Sequence, residues 1–128
     1  MINQKEIVKF FSIYYAINNS KIINENSFII KITARFYIPE LEVYLNNYNL
    51  NNYNCLTQDN QKRCEMIGCH YKNYSDIFNI QIDKKSNYIH IEDIWFNRIS
   101  KYNNILKCKQ FDIEPTQRGG INIKWDNI

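Results

Sequence analysis

The side chains in this chain that would first suggest a reactive centre are two histidines, four cysteines and a few closely spaced carboxylates. His70 follows Cys69 directly, and a thiol with an imidazole is the pairing that nucleophilic catalysis uses. Adjacent residues point apart, above all on a strand, so this pair does not by itself make a nucleophile and its base. His90 lies in no nucleophile motif. Cys64, Cys69 and His70, joined by Cys55 or Cys108, offer soft metal ligands. Structural zinc sites, however, bring ligands in close Cys-x-x-Cys knuckles, and the spacing here is looser. The cysteines read instead as small apolar core residues, and no metal is expected. The pairs Glu40/Glu42, Glu92/Asp93 and Asp112/Glu114 give no sign of a shared proton, and Glu40 near a helix start is explained by the helix dipole. Gly68, Gly119 and Gly120 are the only glycines, so no glycine-rich loop can cradle a phosphate. The expectation is a protein that is not an enzyme and holds no cofactor.

The elements that carry these groups form one domain over residues 1–128, with a helical and strand part at 1–76 and a β-rich part at 77–128. At 128 residues, 45% apolar and 15% aromatic, the chain can bury a substantial core. Ile, Asn, Lys and Tyr dominate, the bias an AT-rich coding sequence imposes, so the Asn-rich stretches are not evidence of function. No basic start precedes an apolar run and no apolar stretch is long enough to span a membrane. These features point to a cytoplasmic protein with reduced thiols, in which the sequons at Asn18 and Asn73 go unused. Net charge is +3. Residues 1–83 balance, whereas residues 84–128 hold Lys84, Lys85, Arg98, Lys101, Lys107, Lys109, Arg118 and Lys124 against fewer acids, a bias that suits an anionic partner.

Asn3 followed by Glu6 has the form of a capping box, and Ile7, Phe10, Phe11, Tyr14 and Ile17 recur at helical spacing, which predicts a helix over 4–17. Residues 27–38 alternate, with Phe28, Ile30, Ile32, Ala34, Phe36 and Ile38 on one face and Lys31, Thr33 and Arg35 on the other. Pro39 ends that strand and opens a short helix through Glu40, Leu41, Tyr44 and Leu45. Residues 46–54 read as a loop, and 58–72 suit helix or strand equally. From 77 onward the period is two again: Phe78, Ile80 and Ile82 alternate with polar residues, Lys84 to Asn87 is a turn, and Tyr88 to Ile91 resume the alternation, which predicts a hairpin. Glu92-Asp93 breaks the register before Ile94, Trp95 and Phe96, as a bulge would. Further strands are expected at 105–113 and 120–125, where Ile121, Ile123 and Trp125 share a face, with a turn at Arg118-Gly119-Gly120.

Residues 77–125, through Ile77 to Asp83, Tyr88-Ile89-His90-Ile91-Glu92-Asp93-Ile94-Trp95 and above all Glu114-Pro115-Thr116-Gln117-Arg118-Gly119-Gly120-Ile121-Asn122-Ile123-Lys124-Trp125, resemble the single-stranded-DNA-binding core of the positive-cofactor-four family of transcriptional coactivators. The likeness departs from the family at Glu92-Asp93, where a basic residue is usual, and in the longer Asn97–Lys109 insert. It implies strands over this region and a single-stranded nucleic acid as partner. The residues suit that chemistry, because single-strand binders set aromatic platforms beside cations that follow the phosphates. On this reading Lys85, Tyr88, Trp95, Arg98, Lys101, Tyr102, Lys107, Lys109, Arg118 and Lys124 form the contact face, although Trp95 and Trp125 serve equally well as core.

Two other classes compete. A small protein-interaction module (an inhibitor, an immunity protein or an assembly subunit, self-associating or not) would show an exposed tyrosine-rich patch, and Tyr44, Tyr48, Tyr53, Tyr71 and Tyr74 lie where they could form one. A small-ligand binder would enclose a pocket between helix and sheet. The expected fold class is α+β: an N-terminal helix packed on a largely antiparallel, curved β-sheet.

Overall fold

The computed structural model describes residues 4–33, 36–58, 64–82, 90–117 and 124–128. The expected capping residue Asn3, the turns at Lys84–Asn87 and at Arg118–Gly120, and Ile121 and Ile123 lie outside them. The fold is α+β, with an N-terminal helix on a mixed sheet dominated by antiparallel pairs.

Helix α1 runs Gln4–Asn19. It ends where amides compete with the backbone: Asn18 and Asn19 each donate a side-chain N–H to the carbonyl four residues back, at Tyr14 and Tyr15. Its inward residues are Phe10 and Ile17, with Ile13 and Tyr14 at their margin. Ile7 and Phe11, expected on that inward stripe, are instead 50% and 57% exposed. The helix is apolar on more than one side, so a single periodic stripe assigned them to the wrong face.

Strand β1 (Phe28–Ile32) pairs antiparallel with β3 (Met66–His70), which pairs antiparallel with β2 (Cys55–Gln58); β2 in turn pairs parallel with β4 (Ile105–Cys108). The parallel step requires a crossover, supplied by residues 71–104. Gly68 sits where β1 crosses closest: a Cβ there would lie 2.7 Å from the Ile29 carbonyl oxygen and 3.0 Å from the Phe28 ring. No larger residue fits.

The strand alternation separates two cores. Ile29, Cys55, Ile67 and Cys69 face Phe10, Trp95 and the helices on one side. On the other, Phe28, Ile30, Ile32, Leu56, Met66 and Leu106 face Phe36, Ile38, Phe111, Ile113 and Ile128. That second side is covered by helix α2 (Leu41–Leu45) and by the antiparallel pair β5 (Asp112–Gln117) and β6 (Lys124–Asn127). Strand β1 stops at Ile32, short of the span expected to Ile38, and the Phe36 N–H closes a turn onto the Thr33 carbonyl. Short α2 begins soon after Pro39, as expected.

The asparagine-rich loop does structural work. The Asn49 side chain caps a 3-10 turn at Leu50–Asn52, and Asn54 donates to the Asn103 carbonyl while its own carbonyl receives the His70 N–H and the Asn73 side chain. These bonds tie the loop to both ends of the crossover.

The largest departure from expectation lies in that crossover. Residues 74–77 form helix α3 (Tyr74–Ile77), residues 78–82 join no sheet, and the run expected as a bulged strand is helix α4 (Ile91–Ile99). Two physical causes stand out. The guanidinium of Arg98 takes the carbonyls of Ile77, Asn79 and Gln81, at 2.9, 2.7 and 2.8 Å, which a strand would have given to a neighbour. Glu92 and Asp93, read as a register break, occupy the first turn of α4, where acids complement the dipole. Buried Glu6 adds a cap from a distance: its carboxylate accepts the Ile91 N–H, at 3.2 Å, and the Lys9 ammonium, at 2.8 Å. Burial pushes the Glu6 carboxyl up, but these two donors outweigh it and hold the pKa below the ordinary carboxylate value.

Candidate functional site

Among the described residues, those expected to form a basic aromatic face do not gather on one sheet surface. Trp95 is 1% exposed and packs edge-on against Phe10 and Phe78, with centroids 5.6 and 6.2 Å away. Arg98 is engaged by the three carbonyls above and lies 5.4 Å from the Phe10 ring. Tyr102 is half-buried, and its hydroxyl donates to Asp76 at 2.6 Å; burial first and this bond second push its pKa up. Lys109 pairs with Glu40 at 2.8 Å and sits over Tyr44 and Phe111. Lys101, Lys107 and Lys124 are exposed, on the turn after α4, on β4 and on β6. Lys85, Tyr88 and Arg118 lie outside the described residues.

The tyrosines do not make the free patch expected of them either. Tyr44, Tyr48 and Tyr53 stack among themselves at the edge of the second core, where Tyr44 meets Phe111 at 88°. Tyr74 packs between Tyr71 and Tyr14 of α1 at the edge of the first. Burial and the Tyr48 bond push the Tyr44 hydroxyl up to about 12.

The thiols are free and buried. Burial pushes Cys55, Cys64 and Cys108 up to about 12, and Cys69 is also raised, so none is a nucleophile at neutral pH. His70 spends its side chain on capping the 3-10 turn after β3, accepting the Lys72 N–H through Nδ1 at 3.4 Å. Among the described residues no group of three or more His, Cys, Asp or Glu side chains could hold a metal ion. No helix among them is long and apolar enough to cross a membrane.

Two concave features lie among the described residues. A cleft of about 280 Å³ opens between α1, the end of β1 and α4, lined by Lys9, Lys31, Thr33, Glu65, Glu92 and Trp95. Lys31 projects from an apolar strand over the Trp95 ring at 4.8 Å, and its ammonium donates to Thr33 Oγ1 and to the carbonyl oxygens of Cys64 and Glu65, at 3.1, 3.0 and 3.4 Å. Cys64 adopts a left-handed φ of 50°, uncommon for its type, in presenting its carbonyl there. Burial lowers the Lys31 pKa, against the opposing pull of Glu65 and Glu92. With each ammonium hydrogen given an acceptor, Lys31 joins β1 to β3 and has no spare donor for a ligand. The second feature is an open, apolar groove of about 530 Å³ beside α2.

One convex feature stands out. Ile7, Val8, Phe11 and Tyr15 lie on the outward face of α1, each half or more exposed, and Phe11 and Tyr15 stack with centroids 6.0 Å apart. Spacings of three and four residues make them one continuous stripe. The sequence signal was present: eight of the sixteen α1 residues, QKEIVKFFSIYYAINN, are large and apolar or aromatic, more than one buried stripe can use.

Compared with protein-family models, with characterised proteins and with solved structures, the chain matches none.

Proposed function

We propose that this chain is a non-catalytic protein-interaction module that engages its partner through the outward face of α1. The observation that carries this reading is the stripe Ile7, Val8, Phe11 and Tyr15, exposed on a helix whose opposite side is already packed. Exposed, mutually stacked aromatic side chains are the kind of group that contributes strongly to binding at protein interfaces. The supporting observation is that four of the groups expected to contact a polynucleotide, Trp95, Arg98, Tyr102 and Lys109, are engaged within the fold.

A photo-crosslinking residue at position 8, expressed in the source cell, tests this. A discrete adduct from position 8, absent from exposed position 80 and lost in Phe11→Ser/Tyr15→Ser, is the expected result. Equal labelling from both positions would sink the reading.

A second reading keeps single-stranded nucleic acid as the partner, through exposed Lys101, Lys107 and Lys124. It expects a fluorescent oligonucleotide to bind at low salt and to be released steeply as salt rises, since each phosphate neutralised frees counterions. Flat anisotropy at low salt excludes it.

A further inference from the structure

Two of the four free thiols stand directly opposite each other. Cys55 of β2 and Cys69 of β3 are register partners in an antiparallel pair, and both side chains face the core that holds Phe10 and Trp95. Backbone direction shows which kind of position they occupy. Along β3 the Tyr71 N–H is given to the Ser27 carbonyl, on the β1 side, and the His70 N–H to the Asn54 carbonyl, on the β2 side. Alternation then turns the backbone groups of Cys69 toward its β1 partner Ile29 and away from Cys55. Cys55 and Cys69 are therefore a non-hydrogen-bonded pair, the closer of the two antiparallel spacings. Such a pair sets its Cα atoms about 4.5 Å apart and draws its side chains together. That separation falls within the roughly 4.4–6.8 Å that a disulfide bridges.

The other two thiols are placed differently. Cys108 stands across from Gln58 and faces the second core, so the sheet itself separates it from Cys55 and Cys69. Cys64 shares the first core but lies at the opposite end of β3 from Cys69, where its carbonyl accepts from Lys31.

We propose that Cys55 and Cys69 form a redox-modification site, a dithiol that a peroxide closes into a disulfide stapling β2 to β3. One thiol gives up its proton and attacks a peroxide oxygen; the O–O bond breaks, the departing hydroxide takes the proton to leave as water, and a sulfenic acid remains. The second sulfur attacks that sulfenic sulfur, the S–S bond forms, and the hydroxyl leaves with the second thiol's proton as another water. Two thiols are oxidised and one peroxide is reduced to two waters. Burial keeps both thiols protonated in the closed fold, so the reaction follows openings of the core and is slow. Once made, the bond loops the unfolded chain from 55 to 69 and so opposes unfolding.

The test treats the reduced, folded protein with hydrogen peroxide, alkylates the remaining thiols in urea, and reads the intact mass and the linkage by peptide fragmentation. The expected product has lost two hydrogens, joins Cys55 to Cys69, leaves Cys64 and Cys108 alkylated, and reverts with a dithiol reductant. Its urea midpoint is expected to rise above that of the reduced protein, because the bond forms in the native register. Cys69→Ala is expected to form no internal disulfide, and Cys64→Ala/Cys108→Ala to form it as fully as the wild type. Linkage in the wild type decides the matter if either variant does not fold by circular dichroism. A disulfide through Cys64 or Cys108 overturns the proposal, as does oxygen added at Cys55 or Cys69 without loss of two hydrogens. A lowered urea midpoint overturns it, and so does a pair still reduced after a thiol reagent would have labelled the native protein.

Discussion

Each side of the sheet sets a cation over aromatic rings, and the two sides use it differently. On the α1/α4 side, Lys31 lies over Trp95 and Arg98 over Phe10, and both direct N–H groups at backbone carbonyls inside the fold. On the α2/β5 side, Lys109 lies over Tyr44 and Phe111 at similar distance, 5.8 and 5.5 Å, but it is half exposed and its partner is a solvated carboxylate. The same pairing of charge and ring is thus part of the scaffold in one place and a surface ornament in the other. What separates them is the acceptor. A backbone carbonyl removed from water depends on its donor, whereas Glu40 can turn to solvent.

Removing these cations one at a time would test that distinction, and Arg98→Ala should cost most. It strips donors from the carbonyls of Ile77, Asn79 and Gln81, and a loss of about 3 kcal/mol in urea unfolding is expected, from hydrogen bonds to charged groups worth roughly 1.5–3 kcal/mol each and partly replaced by water. Lys31→Met keeps the apolar contact with Trp95 but takes the ammonium from the Cys64 carbonyl, while the Glu65 carbonyl keeps the Thr33 N–H, and about 2 kcal/mol is expected by the same measurement. A change below that of Lys109→Ala would show that the acceptor is not what matters.

Alkaline titration reaches both sides. The raised thiol pKa values of Cys55 and Cys64 on one side and Cys108 on the other mean the folded state keeps protons that the unfolded chain gives up from its ordinary 9.0. That stabilisation is complete below pH 9.0 and is lost as pH climbs toward about 12. Lys31 acts with the opposite sign. Its folded pKa lies below 10.5, so the unfolded chain binds more protons in the window between the two values, and stability gains there as pH rises. Urea midpoints should fall above pH 9.0, and fall more steeply in Lys31→Met. A thiol reagent should label the native protein slowly and all four cysteines once it is unfolded. Tyr102→Phe, which removes the bond to Asp76, should lose about 1 kcal/mol. Lys109→Ala should lose about 0.5 kcal/mol or less, and only at low salt.

Two stretches of the N-terminal half were legible because their local signals had a single use. Alternation in Phe28–Ile32 placed Lys31 opposite Phe28 and Ile30 correctly, and Pro39 announced α2. The crossover was not legible. Phe78, Ile80 and Ile82 do alternate, but the carbonyls between them are claimed by Arg98, some twenty residues on, and no local pattern records a partner at that distance. Glu92-Asp93 carried two meanings, a broken strand or a charged first turn, and the second is decided by Glu6 at the far end of the chain. The outward face of α1 was half legible. The helix was found, but the excess of apolar residues that leaves Phe11 and Tyr15 in solvent passed unnoticed because one stripe was enough to identify a helix.

The parallel partnership of β2 with β4 has a consequence for how the chain acquires its shape. Cys55 cannot meet Ile105 until the intervening stretch of about fifty residues has emerged and folded back, whereas β1, β2 and β3 need only shorter-range closure. On the ribosome the three-stranded part can therefore form early with the edge of β2 bare. Arg98, by gathering the loop at 77–81 against α4, shortens the search that brings β4 onto that edge before another strand does.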